Sequence, residues 1–161
     1  MTGAAQGYLS LAISTDEGMG PADDCYICSA TTSGGSTIVF SSAYLTGESP
    51  PTILNPITTN VQSSVTNGIM TCTFTRPISV SKTVSGNNVT WDVSKQSFNV
   101  LFAEGNVTVG GGTTYHSVRK HTHGAFNLLK PKDRLLMESI LLPSRYSLPF
   151  CCSPAPPRVD K

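Results

Sequence analysis

The stretch Gly7-Tyr-Leu-Ser-Leu-Ala-Ile-Ser14 puts Leu9, Leu11 and Ile13 on one side of an extended chain and Ser10, Ala12 and Ser14 on the other. That period of two marks a half-buried strand. Two more runs follow at turn distance: Cys25-Tyr-Ile-Cys-Ser-Ala30 after a polar bend, and Thr37-Ile-Val-Phe-Ser41 after a Ser-Gly-Gly-Ser turn. Beyond Asn67-Gly68, the run Ile69-Met-Thr-Cys-Thr-Phe-Thr-Arg76 alternates Met70, Cys72 and Phe74 with threonines, so its apolar set faces a core and Arg76 turns inward with it. Pro77 ends that strand or places it at an edge. Gly86-Asn-Asn-Val-Thr-Trp-Asp-Val93 reads as a turn into a strand bearing the single tryptophan, Trp91. Phe98–Ala103 is a further strand, Gly110-Gly-Gly112 breaks the chain before Thr113-Thr-Tyr-His116, and Ala125-Phe-Asn-Leu-Leu129 reads as the last strand. Residues 45–60, with Gly47, Pro50, Pro51 and Pro56, read as a long loop of the kind that often carries function.

About eight short runs punctuated by turn chemistry predict an all-β fold, an antiparallel two-sheet β-sandwich of immunoglobulin-like type, over residues 1–129. Residues 130–161 change character. Leu135–Leu142 has a weak helical stripe ended by Pro143, and the Pro-rich remainder with Cys151 and Cys152 reads as largely unstructured.

Composition narrows the function classes. Of 161 residues only 13% are charged, with eleven Lys+Arg against ten Asp+Glu, a formal charge of +1. No basic field argues for nucleic acid or anionic lipid as partner. No apolar run approaches the ~20 residues of a spanning helix. The first residues, Met-Thr-Gly-Ala-Ala-Gln-Gly, have neither the basic nor the apolar region of a secretory signal.

Five cysteines are an odd number for an oxidised protein. Cys25-x-x-Cys28 has no following helix and no second pair, so it is neither a redox motif nor a complete zinc site. Ser29, not histidine, follows Cys28, which removes the covalent haem-attachment signature. The preferred reading is one structural bridge, Cys28 to Cys72, with the other thiols unassigned; five reduced thiols in a cytosolic chain is the alternative.

Met19 lies in the bend between the first two runs, flanked by Gly18 and Gly20 among acids and a proline, where no apolar periodicity buries it. Glycines on both sides allow close backbone approach. The sulfur is either that of a partly exposed loop residue or a soft donor presented to a ligand, as in axial ligation of haem iron opposite an imidazole. The three histidines, His116, His121 and His123, fall in one short segment. His116 is the better partner for Met19, because the preceding Thr-Thr-Tyr run fixes its direction. His121 and His123 lie beside Arg119 and Lys120, cations that are either solvated or available to an anionic group. As an alternating pair they could bind a divalent metal, although no carboxylate or thiolate stands near them in sequence. Asp23-Asp24 is a candidate acid pair, but neighbours on a strand point to opposite faces.

The pieces Gly7–Ser14, Met19-Gly20, Asp23-Asp24, Cys28, Asn67–Arg76, Leu101-Phe-Ala103 and Tyr115-His116 occur in the order and approximate spacing of DOMON domains. The likeness spans about residues 7–129 and most resembles the ferric-chelate-reductase-like group, in which such a domain precedes a transmembrane b-type cytochrome. The resemblance implies an extracellular or lumenal β-sandwich that binds haem or sugar. In the cytochrome members the iron ligands are the Met of the Met-Gly turn and the His of the Tyr-His pair, here Met19 and His116. Cys28 and Cys72 look like the family's two cysteines, and Arg76 matches its arginine after Cys-x-Phe-x. Family members usually carry strands before the position of Gly7 and membrane segments after the domain. Here six residues precede Gly7 and a Pro-rich tail follows.

Two functions follow as expectations. The first is a haem b-binding electron-transfer domain, with iron held by Met19 and His116, no acid–base catalyst of its own, and a transmembrane cytochrome or other redox partner. The alternative is a non-redox extracellular module recognising a protein partner or glycan on one sheet face, through aromatics such as Trp91, Tyr44 or Tyr26. Two sequons, Asn88-Val-Thr90 and Asn106-Val-Thr108, stand beside turns and are candidate glycosylation sites.

Overall fold

The computed structural model describes residues 1–5 and 7–130. The tail expected to be weakly helical or unstructured, with Cys151 and Cys152, lies outside the described residues except for Lys130. The strands are β1 (Thr2–Ala4), β2 (Gly7–Ser14), β3 (Asp23–Ala30), β4 (Ile38–Leu45), β5 (Thr52–Leu54), β6 (Thr59–Thr66), β7 (Ile69–Thr75), β8 (Ser79–Val84), β9 (Asn87–Asp92), β10 (Asn99–Asn106) and β11 (Val118–His121). They form a six-stranded sheet in the order β11-β10-β2-β3-β4-β5, a three-stranded sheet β1-β7-β6 and a hairpin β8-β9, with every pairing antiparallel.

The alternating runs dictate the packing. Leu9, Cys28, Ala30 and Phe102 on one face of the large sheet meet Met70 and Cys72 of β7, with Ala5 closing the edge. The bridge Cys28–Cys72 joins the two layers inside this core, and both residues have no exposure. Phe74, also inward, packs on Tyr26 at 4.7 Å and on Phe40 at 5.1 Å between ring centroids. Such pairs add roughly 0.5–1.5 kcal/mol beyond area burial. A further cluster sets Trp91, Val93 and Phe98 against Ile13, with Tyr44 edge-on to Trp91. Trp91 and Tyr26 are therefore core rings and Tyr44 packs edge-on against Trp91, so these aromatics do not present the sheet-face recognition surface offered as the alternative.

Arg76 does turn inward. Its guanidinium sits 3.1 Å from the carboxylate of Asp24, which has no exposure and also pairs with the ammonium of Lys82. Tyr26 donates its hydroxyl to Asp24 at 2.7 Å, Arg76 Nε donates to that hydroxyl oxygen, and Lys82 donates to the carbonyl of Ala43 at 2.9 Å. This buried knot holds β3, β4, the end of β7 and β8 together.

Several expectations are corrected. β2 is not half-buried: it lies between β10 and β3, so Tyr8, Ala12 and Ser14 are buried as well as Leu9 and Ile13. Residues 45–60 contain β5 and the start of β6; Thr52–Leu54 pairs with β4 as an edge strand, a position that tolerates adjacent prolines. The last strand is Val118–His121 rather than 125–129, where only Phe126 bridges to Phe98. Polar β11 hid its periodicity because it is an edge strand, exposed along its first half. β1 and β6 carry little apolar pattern for a similar reason, since they flank β7 as the edges of the small sheet. Among the described residues, no helix is long and apolar enough to cross a membrane.

Candidate functional site

The face of the large sheet turned away from the disulfide core has a floor of small and apolar side chains. Register fixes its make-up: Ala12 stands opposite both Cys25 and Leu101, and Ser10 stands opposite Ala103. Directly opposed residues project to the same side of a sheet. Three connections rise around this floor: the bend 15–22 with Met19, the segment 46–51 with Glu48 and Pro50, and the loop 107–117 with His116. They enclose an open cleft of about 310 Å³, at the lower end of the ~300–1,000 Å³ common for small-molecule sites. Met19 and His116 both line it, although they are far apart in the chain.

The Met19 bend is fastened at its base. Asp23 accepts the Gly20 N–H, Ala22 N donates to Leu45 O at 3.0 Å, and the indole of Trp91 donates to Ala22 O at 3.1 Å. Met19 itself is half-buried and packs against the cluster containing Tyr8, Ala12 and Cys25. Gly20 has φ +71°, and a Cβ there would run into the backbone of Gly47. Only glycine lets the bend and the 46–51 segment meet at this distance. Gly20→Ala is expected to cost about 1–3 kcal/mol and to part these two walls, and an alanine variant that melts with the parent protein would contradict this.

His116 is not set by a strand, as the Thr-Thr-Tyr run had suggested. Its loop is held by a bridge between Val107 and Thr113, by Thr114 N donating to Asn106 O at 3.0 Å, and by the Tyr8 hydroxyl donating to Thr114 O at 3.2 Å. The exposed ring of Tyr115 stacks on the imidazole at 4.2 Å between centroids. Burial, with the Arg119 guanidinium adding to it, pulls the His116 pKa below its usual 6.5. The imidazole is thus neutral at pH 7, with a lone pair free to donate. An unfolded chain takes up this proton near pH 6.5 and the folded chain only at lower pH, so the His116 contribution to stability is intact above pH 6.5 and is lost as pH falls through that window. A ring-proton titration by NMR should give a midpoint below 6.5 that rises part of the way back in Arg119→Ala, since burial is the larger cause; an unmoved midpoint would exclude the guanidinium.

Cys25 lies in the floor as a free thiol, fully buried and pushed up to about 12 by desolvation. It is inert packing. Asp23 and Asp24 point to opposite faces: Asp23 ties down the Met19 bend, with burial raising its pKa, and Asp24 anchors the ion knot. Asn88 and Asn106 are both exposed. His121 and His123 sit together at the end of β11, beside a smaller depression lined by Met19, Arg119 and His121. Nothing in the local pattern marked Tyr8, Ser10, Ala12 and Ala103 as the paving of a floor, because a face of serine and alanine looks solvent-directed until loops cover it. The length of the 45–60 segment was the available signal for the third wall.

The lining of the cleft thus brings together one thioether, one neutral imidazole and the Arg119 cation over a floor of small and apolar side chains. A family model for the DOMON domain matches residues 1–105. The chain is 31% identical over 132 residues to a zebrafish (Danio rerio) protein named "Putative ferric-chelate reductase 1", covering 81% of this chain and 21% of that protein. It is 33% identical over 81 residues to a Xenopus laevis protein of the same name, covering 50% of this chain and 13% of that one. The chain therefore spans about a fifth or less of the length of these curated relatives. No solved structure matches it.

Proposed function

The chain belongs to the DOMON domain family, and from that membership we propose that it is a haem b-binding electron-transfer domain of a ferric-chelate-reductase-like protein, with Met19 and His116 as the iron ligands. The observation that carries the reading is that these two side chains, from an early bend and a late loop, line one cleft over a floor of small residues. Haem b, when bound, would supply a one-electron couple, and ligation by a thioether and an imidazole would favour its reduced state.

The chain's own residues do the rest. Met19 and His116 would hold the haem iron through the thioether and the imidazole. Ser10, Ala12 and Ala103 admit a flat ring system by their small size, and Leu45 and Leu101 keep water from its faces. Arg119 meets an anionic group at the edge. In this reading the domain relays electrons to a partner, for which a transmembrane b-type cytochrome is the proposal. The disulfide fits an oxidising compartment, and an extracellular or lumenal location with glycosylation at Asn88 and Asn106 is part of the same reading.

The test is spectroscopic. Purified chain titrated with haemin should give a low-spin spectrum, sharpened by dithionite, and both Met19→Ala and His116→Ala should lose the six-coordinate signature. A folded sample that takes up no haem would end the reading. Loss in His121→Ala with retention in His116→Ala would reassign the ligand.

A further inference from the structure

Outside the cleft, the fold assembles a second donor set that the sequence keeps apart. β11 runs antiparallel to β10, and β10 antiparallel to β2, so His121 stands opposite Leu101, which stands opposite Ala12. Residues after His121 therefore run beside Val100 and Asn99 of β10, which pair in turn with Ile13 and Ser14, and so reach the end of the sheet where the bend with Glu17 begins. The register is pinned at Thr122, a fully buried residue whose N–H donates to Val100 O and whose hydroxyl oxygen accepts from Val100 N, both at 3.0 Å. His121 and His123, two residues apart, project to one side with ring centroids 5.1 Å apart. Glu17 closes on them: one of its carboxylate oxygens accepts the Gly124 N–H at 3.0 Å. One ligand atom from each of Glu17, His121 and His123 lies within 4.8 Å of the other two. The carboxylate missing from the local sequence is thus supplied by the fold.

We propose that Glu17, His121 and His123 bind a divalent first-row transition ion. Ligands around a tetrahedral ion at 2.0–2.2 Å stand about 3.4 Å apart, a closure that the exposed side chains of Glu17 and His123 reach by rotation. Two outer contacts prepare the ligands. The Thr122 carbonyl, 3.1 Å from His121 Nδ1, can only accept, so Nδ1 carries the proton and Nε2 keeps its lone pair. The Gly124 N–H occupies one Glu17 oxygen and leaves the other. Two imidazoles and one carboxylate select zinc, copper, cobalt or ferrous iron over calcium or magnesium, which need mainly oxygen donors. Exposure of Glu17 and His123 leaves the remaining positions to water, so the ion exchanges, and its binding staples the Met19 bend to β11.

The experiment is calorimetric titration of Zn2+ into the haem-free chain, with Mg2+ as the comparison and Cu2+ paramagnetic resonance to detect imidazole nitrogen. The expected result is saturation at one equivalent with a rise in melting temperature, and no response to Mg2+. Glu17→Gln and His123→Ala should each weaken Zn2+ about tenfold or more, while His116→Ala and Cys151→Ser/Cys152→Ser should leave it unchanged. Full affinity in the Glu17→Gln/His123→Ala double variant, no saturable binding by a folded sample, or dependence on the cysteines would each overturn the site. The haem reading depends on Met19 and His116 rather than on this set, so each proposal can fail without the other.

Discussion

Asp24→Ala should destabilise the domain by about 3–5 kcal/mol, the usual consequence of removing one partner from a buried ion pair. The carboxylate has no exposure, and the side chains of Arg76 and Lys82 that it neutralises are 14% and 2% exposed. After truncation, Lys82 would retain the Ala43 carbonyl at 2.9 Å and the faces of the Tyr26 and Trp91 rings at 4.9 Å and 5.9 Å. None of these neutralises an ammonium held away from water. Arg76 fares better, because it reaches the Tyr26 hydroxyl and the Trp91 carbonyl from a partly open position. The loss is therefore centred on Lys82, and Asp24→Ala/Lys82→Met should recover much of it by removing the orphaned charge. Urea unfolding of the two variants decides the matter; a single variant within 1 kcal/mol of the parent, or a double variant no better than the single, would contradict this account.

Cutting the bridge is expected to have a similar effect by another route. Cys28 and Cys72 are 44 positions apart, and closing a loop of that size restricts the unfolded chain by about 4 kcal/mol at 25 °C in the chain-entropy treatment. Cys28→Ala/Cys72→Ala should lower stability by roughly that amount, with a small further loss from the missing sulfur atoms beside Leu9, Met70 and Phe102. Equilibrium unfolding with and without reductant measures it. If the parent protein unfolds at the same urea concentration in both, the bridge does not restrain the unfolded chain.

How much of this was legible in the sequence depends on where each residue faces. β2 and β7 announced themselves because apolar positions alternate with small polar ones along them, β3 because a short apolar run stands between two turns, and the inward turn of Arg76 followed from the alternation in β7. β1, β5, β6 and β11 were hidden because edge strands bury too little to need a pattern. Met19 stood out as an apolar side chain with no apolar face to join, and the structure places it on the lining of a cleft with His116. The cleft floor was illegible, since serine and alanine beside strand partners look the same whether water or a loop lies above them. Glu17 was unreadable as a partner of His121 and His123, because their proximity depends on the register of three strands.

The hydrogen bond from the indole of Trp91 to the carbonyl of Ala22 has a practical corollary. The chain contains a single tryptophan, so its fluorophore is wired to the foot of the bend that carries Met19. Shifts in emission wavelength will report on that hinge without labelling, and energy transfer to any absorbing guest in the adjoining cleft will register as quenching. The domain carries its own optical gauge.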